Sequence, residues 1–112
     1  MKMIKILFSQ GLAFAVLASF NVYAADLSIC HSGSNVELYN DGSLRACRLK
    51  KDYDANSIQC KKEGPVSFYT NGNLESCVLS KPTSVGMIKC KQDGPITFFI
   101  DGNLKSCVKP DN

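Results

Sequence analysis

The sequence has a single histidine, His31, and no C-x-x-C pair. Structural zinc sites usually draw ligands from such close pairs, so no metal centre is expected. A catalytic cysteine would have to work with His31, directly beside Cys30, in a chain whose thiols have one another to pair with. An exposed histidine is the simpler expectation. Acids, bases and nucleophiles are nowhere concentrated, so no catalytic residue and no cofactor is assigned, and the chain is not expected to be an enzyme. Charge of one sign is scarce as well. Once Lys2 and Lys5 are set aside with the leader, eleven basic residues face ten acidic ones, which removes the electrostatic case for nucleic acid. The small basic patches at Arg48, Lys50, Lys51 and at Lys61, Lys62 are followed by Asp52, Asp54 and Glu63, and read as solvated turns.

Long hydrophobic runs are equally few. The one present spans Ile6 to Phe20, follows Lys2 and Lys5, and ends before Val22, Tyr23 and Ala24, where small residues suit a signal peptidase. Residues 1–24 are therefore expected to be a signal peptide, cut after Ala24 with Ala25 as the alternative. The run is short for a retained anchor, and no second apolar stretch of about 18 residues follows, so no membrane span is expected after cleavage. Cys30 lies past the cut and is not placed to take a lipid. The mature product is expected in the periplasm or outside the cell.

What is abundant is repetition. Cys30 and Cys47, Cys60 and Cys77, and Cys90 and Cys107 bracket three units, each starting thirty residues after the last. Residues 25–112 read as one all-β domain of three repeats, 30–47, 60–77 and 90–107. A domain this small buries only about two thirds of its unfolded surface, so its core alone would be marginal. Six cysteines at repeated spacing in an exported chain read as three disulfides, each contributing on the order of 3 kcal/mol in the chain-entropy model. Repetition leaves two pairings: within each unit, or Cys47 with Cys60 and Cys77 with Cys90, leaving Cys30 with Cys107. Self-closing units need no ring closure, and the within-unit pairing is favoured.

KKEGPVSFYTNGNLES and KQDGPITFFIDGNLKS align position by position, while the first copy, HSGSNVELYNDGSLRA, keeps Val36, Tyr39, Gly42 and Leu44 and puts Ser34 and Asn35 in place of Gly-Pro. Divergent terminal copies are expected in arrays, because one face has no neighbour. In each copy a turn pair, Asp41 and Gly42, Asn71 and Gly72, or Asp101 and Gly102, separates runs rich in β-branched and aromatic residues, which signals a hairpin. A two-residue turn would set Phe68 opposite Glu75; a three-residue loop with Gly72 in a G1 bulge sets Phe68 opposite Leu74 and Val66 opposite Ser76. The second register gathers Val66, Phe68, Leu74 and Val78 on one face, with Ile96, Phe98, Leu104 and Val108 following, and is preferred. The other face then carries Ser67, Tyr69, Glu75 and Cys77, and Tyr39, Tyr69 and Phe99 form a possible binding strip. Packing of these aromatics on the neighbouring unit or over the disulfides is the competing and favoured reading. Ser57 to Cys60 and Met87 to Cys90 are candidate edge strands, joined to the hairpins before them by polar linkers from Lys50 to Asn56 and from Ser80 to Gly86.

The strings GPVSFYTNGNLESC and GPITFFIDGNLKSC resemble the variant MORN repeat of bacterial proteins, in which a Gly-Pro step leads into an aromatic strand, an Asn-Gly turn and a Leu-Lys continuation. The unit here is longer than the usual repeat and carries a cysteine at each boundary. The resemblance implies an all-β array of hairpins with a role in contacts to protein or lipid, and it brings no catalytic residues. The leading expectation is a non-enzymatic exported interaction or structural module that binds an envelope or extracellular partner. A small disulfide-rich inhibitor or immunity-type protein acting on a hydrolase is the alternative. An enzyme would have to use carboxylates such as Asp41 and Asp101, which stand where turns favour aspartate.

Overall fold

The computed structural model describes residues 26–111. The expected signal peptide and its cleavage site lie outside them. From a 3-10 turn at Asp26–Ile29 the described residues run through ten short strands, six of which make one antiparallel sheet. Each unit contributes a hairpin to that sheet: β1 (Glu37–Leu38) with β2 (Leu44–Arg48), β5 (Pro65–Phe68) with β6 (Leu74–Val78), and β9 (Pro95–Phe98) with β10 (Leu104–Cys107). The sheet order is β1-β2-β5-β6-β9-β10, an open meander in which each hairpin lies beside the next. The fold is all-β, as its alternating sequence runs suggest.

The linkers are more ordered than their polar composition implies. Residues 49–64 leave the sheet, form a hairpin of β3 (Tyr53–Ala55) and β4 (Ile58–Cys60), and return to the sheet edge at Pro65. β7 (Thr83–Val85) and β8 (Ile88–Cys90) repeat this one unit later. The candidate edge segments are thus the second strands of separate linker hairpins. Their two-residue loops are Asn56-Ser57, both with positive φ (53° and 74°), and Gly86-Met87, with Gly86 at 62°. Positive φ at the loop is what matches the twist of the flanking strands.

The sheet hairpins have the three-residue loop expected of them. The Gly72 N–H donates to the Tyr69 carbonyl at 2.9 Å, the Tyr69 N–H donates to the Asn73 carbonyl at 2.8 Å, and Gly72 takes φ 88°. Gly42 and Gly102 do the same at 89° and 95°. Phe68 accordingly faces Leu74. Beyond that point the expected register fails by one residue. Ser67 pairs with Ser76 and Val66 with Cys77, because Glu75 is an extra residue that bulges out of β6. The same slip recurs at Lys105, between Leu104 and Ser106 in β10, and at Arg45, between Leu44 and Ala46 in β2, which face Leu38 and Glu37.

This second bulge decides which residues make the core. With Glu75 looped out, Leu74, Cys77 and Leu79 all turn to the face that carries Val66 and Phe68, and Cys77 is buried there. Val78 belongs to the opposite face, not to the apolar set, and Val108 is exposed. Leu49, Cys60, Val66, Leu79, Cys90 and Ile96 are the most completely buried side chains, and they pack where the sheet meets the linker hairpins. The disulfides close within units, Cys30 to Cys47, Cys60 to Cys77 and Cys90 to Cys107, with Cα atoms 5.8, 5.7 and 5.6 Å apart. The second and third tie a linker strand, β4 or β8, to the outgoing strand of the hairpin that follows, so they fasten one layer to the other.

Candidate functional site

Three kinds of surface carry the residues singled out in the sequence. The first is the row of hairpin tips. Asp41, Asn71 and Asp101 each accept the backbone N–H two residues on, from Ser43 at 2.9 Å and from Asn73 and Asn103 at 3.0 Å, so each tip is held by its own side chain. Asp41 also accepts the Ser43 hydroxyl at 2.6 Å. That hydroxyl, then the Ser43 N–H, holds the Asp41 carboxyl below its ordinary value. Asp41 and Asp101 sit on the first and third tips with Asn71 between them. Four strand steps of about 4.8 Å put the two carboxylates roughly 19 Å apart, too far to flank one glycosidic bond.

The second surface is the aromatic row. The Tyr39 hydroxyl donates to the Phe68 carbonyl at 2.7 Å, and the Tyr69 hydroxyl donates to the Phe98 carbonyl at 2.8 Å. Each tyrosine thereby bonds its unit to the next one. Phe99 has no hydroxyl and lies exposed at the last tip. Arg45 stacks over the Tyr39 ring and Lys105 over the Phe99 ring, each at 5.7 Å, so the row presents cations on aromatic faces. At the other end of the strands Lys61 pairs with Asp93 of the next unit at 2.7 Å, and the His31 ring approaches the Glu63 carboxylate at 3.4 Å. The Asn71 and Asn73 amides add bonds to the Ile100 carbonyl at 3.2 and 2.9 Å.

The third surface is the sheet face away from the linker hairpins. Register places Glu37, Ala46, Ser67, Ser76, Thr97 and Ser106 in one line across all six strands. Ser67 and Ser76 share a hydrogen bond at 2.8 Å, as do Thr97 and Ser106. Arg48, Pro65, Val78 and Pro95 form the next line. On the opposite side of the sheet, between the first two tips and the first linker hairpin, lies a cleft of about 390 Å³ walled by Leu44, Tyr53, Phe68 and Tyr69, with Asp41 and Asn71 at its mouth. Tyr53 and Phe68 meet edge to face at 6.4 Å. The corresponding cleft one unit on, about 320 Å³, is walled by Val85 and Phe98 and has no tyrosine.

All six cysteines are consumed in disulfides. Among the described residues no three His, Cys, Asp or Glu side chains are grouped as a metal site would need, and no helix is long and apolar enough to cross a membrane. Three disulfides suit an oxidising, non-cytoplasmic environment. No family model, curated protein or solved structure matches this chain. Of the hydroxyl line only Ser67 is placed on this face by the sequence; Ser76, Thr97, Ser106 and Tyr53 are not among its candidates. The line depends on the Glu75 bulge, which brings Ser76 rather than Cys77 to the outer face, and Tyr53 depends on the linker hairpin. The ion pairs had a visible signal, since Lys61 and Lys91, and Glu63 and Asp93, recur at the repeat interval.

Proposed function

We propose that the chain is a non-enzymatic interaction or structural module, working in the periplasm or outside the cell, whose sheet faces hold a protein, glycan or envelope component. The observation that carries this reading is the repeated bonding between units. Tyr39 and Tyr69 bridge to the next unit through matching atoms, and disulfides lock each linker layer to the sheet, so the outer rows are held as one preorganised surface. A surface fixed before binding loses less freedom on association. The likeness to variant MORN repeats points to the same kind of role. Mature protein immobilised on beads and washed with envelope extract is expected to retain peptidoglycan or an envelope protein, and a Ser67→Arg, Ser76→Arg variant is expected to lose it. Retention of nothing, or equal retention by the variant, refutes the outer-face reading.

One feature favours a second reading, an inhibitor or immunity-type protein directed at a hydrolase. The three tips protrude side by side, each stiffened by its own Asp or Asn side chain, in the manner of a preorganised inhibitory loop. Capture of a single hydrolase in one-to-one ratio, weakened by Asn71→Ala, would favour it.

A further inference from the structure

The two ends of the sheet are the separated halves of a contact that the molecule builds twice inside itself. Between units, β2 meets β5 with Cys47 opposite Val66, and β6 meets β9 with Cys77 opposite Ile96. No described strand pairs with the outer side of β1 or of β10. The exposed apolar residues follow from this. Val36 is 42% exposed where its repeat equivalents Val66 and Ile96 are at 1% and 0%, and Leu38 is 48% exposed where Phe98 is at 7%. At the other end Ile88 is 44% exposed where Ile58 is at 8%, and Leu104 and Cys107 are less buried than their equivalents in the first two units. A knob at one end thus matches a seat at the other.

We propose that the N-terminal edge of one molecule docks on the C-terminal edge of a second copy, head to tail, extending the antiparallel sheet across molecules in the register used between units. Val36 then lies opposite Cys107, Glu37 opposite Ser106, and Leu38 over Ile88 and Leu104. The contact brings Lys105 beside Glu37, a carboxylate that Arg45 of its own unit reaches at 3.9 Å, so unlike charges meet there. A tail-to-tail pairing would instead bring Lys105 and Lys109 of one copy against those of the other, and like charges across a strand pair oppose it. The interface is heterologous, so it grows open chains rather than closed dimers.

Two residues hold this association weak. Lys109 stands where Leu49 and Leu79 are fully buried, and Phe99 stands where Tyr39 and Tyr69 supply the bridging hydroxyl. Lysine on an edge strand is a common means of limiting strand-to-strand growth. Contact between copies is therefore reversible, favoured where the protein is concentrated, and does not depend on what the outer face binds.

Sedimentation of the mature protein from micromolar to millimolar concentration tests the proposal. Mass is expected to climb past the dimer as concentration rises, and Lys109→Leu with Phe99→Tyr is expected to shift that rise at least tenfold lower. Val36→Asp, a head variant, and Ile88→Asp, a tail variant, should each remain monomeric alone, yet form a one-to-one dimer when mixed through their intact ends. Both positions are exposed, and circular dichroism with intact disulfides checks the fold; Leu38→Glu and Lys105→Glu serve if either misfolds. A protein and a restored variant that both stay monomeric would overturn the proposal. So would a head variant that still dimerises alone while the tail variant does not, because that outcome marks a tail-to-tail seam.

Discussion

Replacing Tyr39 and Tyr69 by phenylalanine tests whether the units are bonded to one another or merely adjacent. Each change removes one hydroxyl that donates to a carbonyl in the next unit, at 2.7 and 2.8 Å, and leaves the ring in place. A net hydrogen bond of this kind contributes about 1 kcal/mol. Both bonds are only part-buried and water can replace the lost donor, so Tyr39→Phe and Tyr69→Phe should each cost about 0.5–1 kcal/mol. The two sites are one repeat apart and share no partner, so the double variant should lose about the sum. In a domain of this size that corresponds to a fall in Tm of roughly 4–8 °C per kcal/mol. Urea unfolding at low micromolar concentration, disulfides intact and followed by circular dichroism, gives the comparison. Phe99→Tyr is the internal control, because its added hydroxyl reaches no unit in the same molecule and should leave stability unchanged. If both single variants unfold within about 0.3 kcal/mol of the parent, or if the control shifts as far as they do, the tyrosines are not inter-unit bonds.

Two further outcomes follow from the register and from the tips. Deleting Glu75 removes the extra residue and leaves Leu74, Ser76 and Cys77 in regular alternation opposite Phe68, Ser67 and Val66, so non-reducing digestion and mass spectrometry should find the Cys60 to Cys77 bond intact; a lost or scrambled bond would show that Glu75 is not the extra residue of the ladder. The Asp41 carboxyl should titrate below its ordinary 3.8, because the Ser43 hydroxyl and N–H favour its charged form. Its contribution to stability is then present above 3.8 and lost as pH falls through the lower folded value, and NMR titration should show the midpoint rise towards 3.8 in Ser43→Ala.

The parts of the fold that were legible in the sequence are those governed by local chemistry. Asn71 before Gly72 demands a residue with positive φ, and alternation of Val66 and Phe68 against Leu74 selects the three-residue loop, so the tips and the first cross-strand pair could be read directly. The second bulge could not be read from alternation, since a strict period of two sends Cys77 outward. Its signal lies in the spacing of Leu74, Cys77 and Leu79, repeated in Leu44, Cys47 and Leu49, which only one extra residue can bring to a single face. The linker hairpins were hidden by Asp52, Asp54 and Lys81, charged residues that stay exposed while Ala55 and Ile58 fold under the sheet. The tyrosine bridges were legible as a spacing but not as bonds, because their acceptors are backbone carbonyls in the following unit.

Pairing within units also bears on how the molecule is assembled. Each native disulfide joins a cysteine to the next one along the chain, seventeen residues later. Where the polypeptide is delivered N-terminus first, Cys47 meets only Cys30, so that pair can close before Cys60 arrives. The same holds for the second and third pairs. An oxidant that simply couples thiols in order of appearance yields the native set, and no reshuffling of wrong bonds is required. The thirty-residue period thus orders the cysteines so that each unit can be sealed before the one that will lie against it has been delivered.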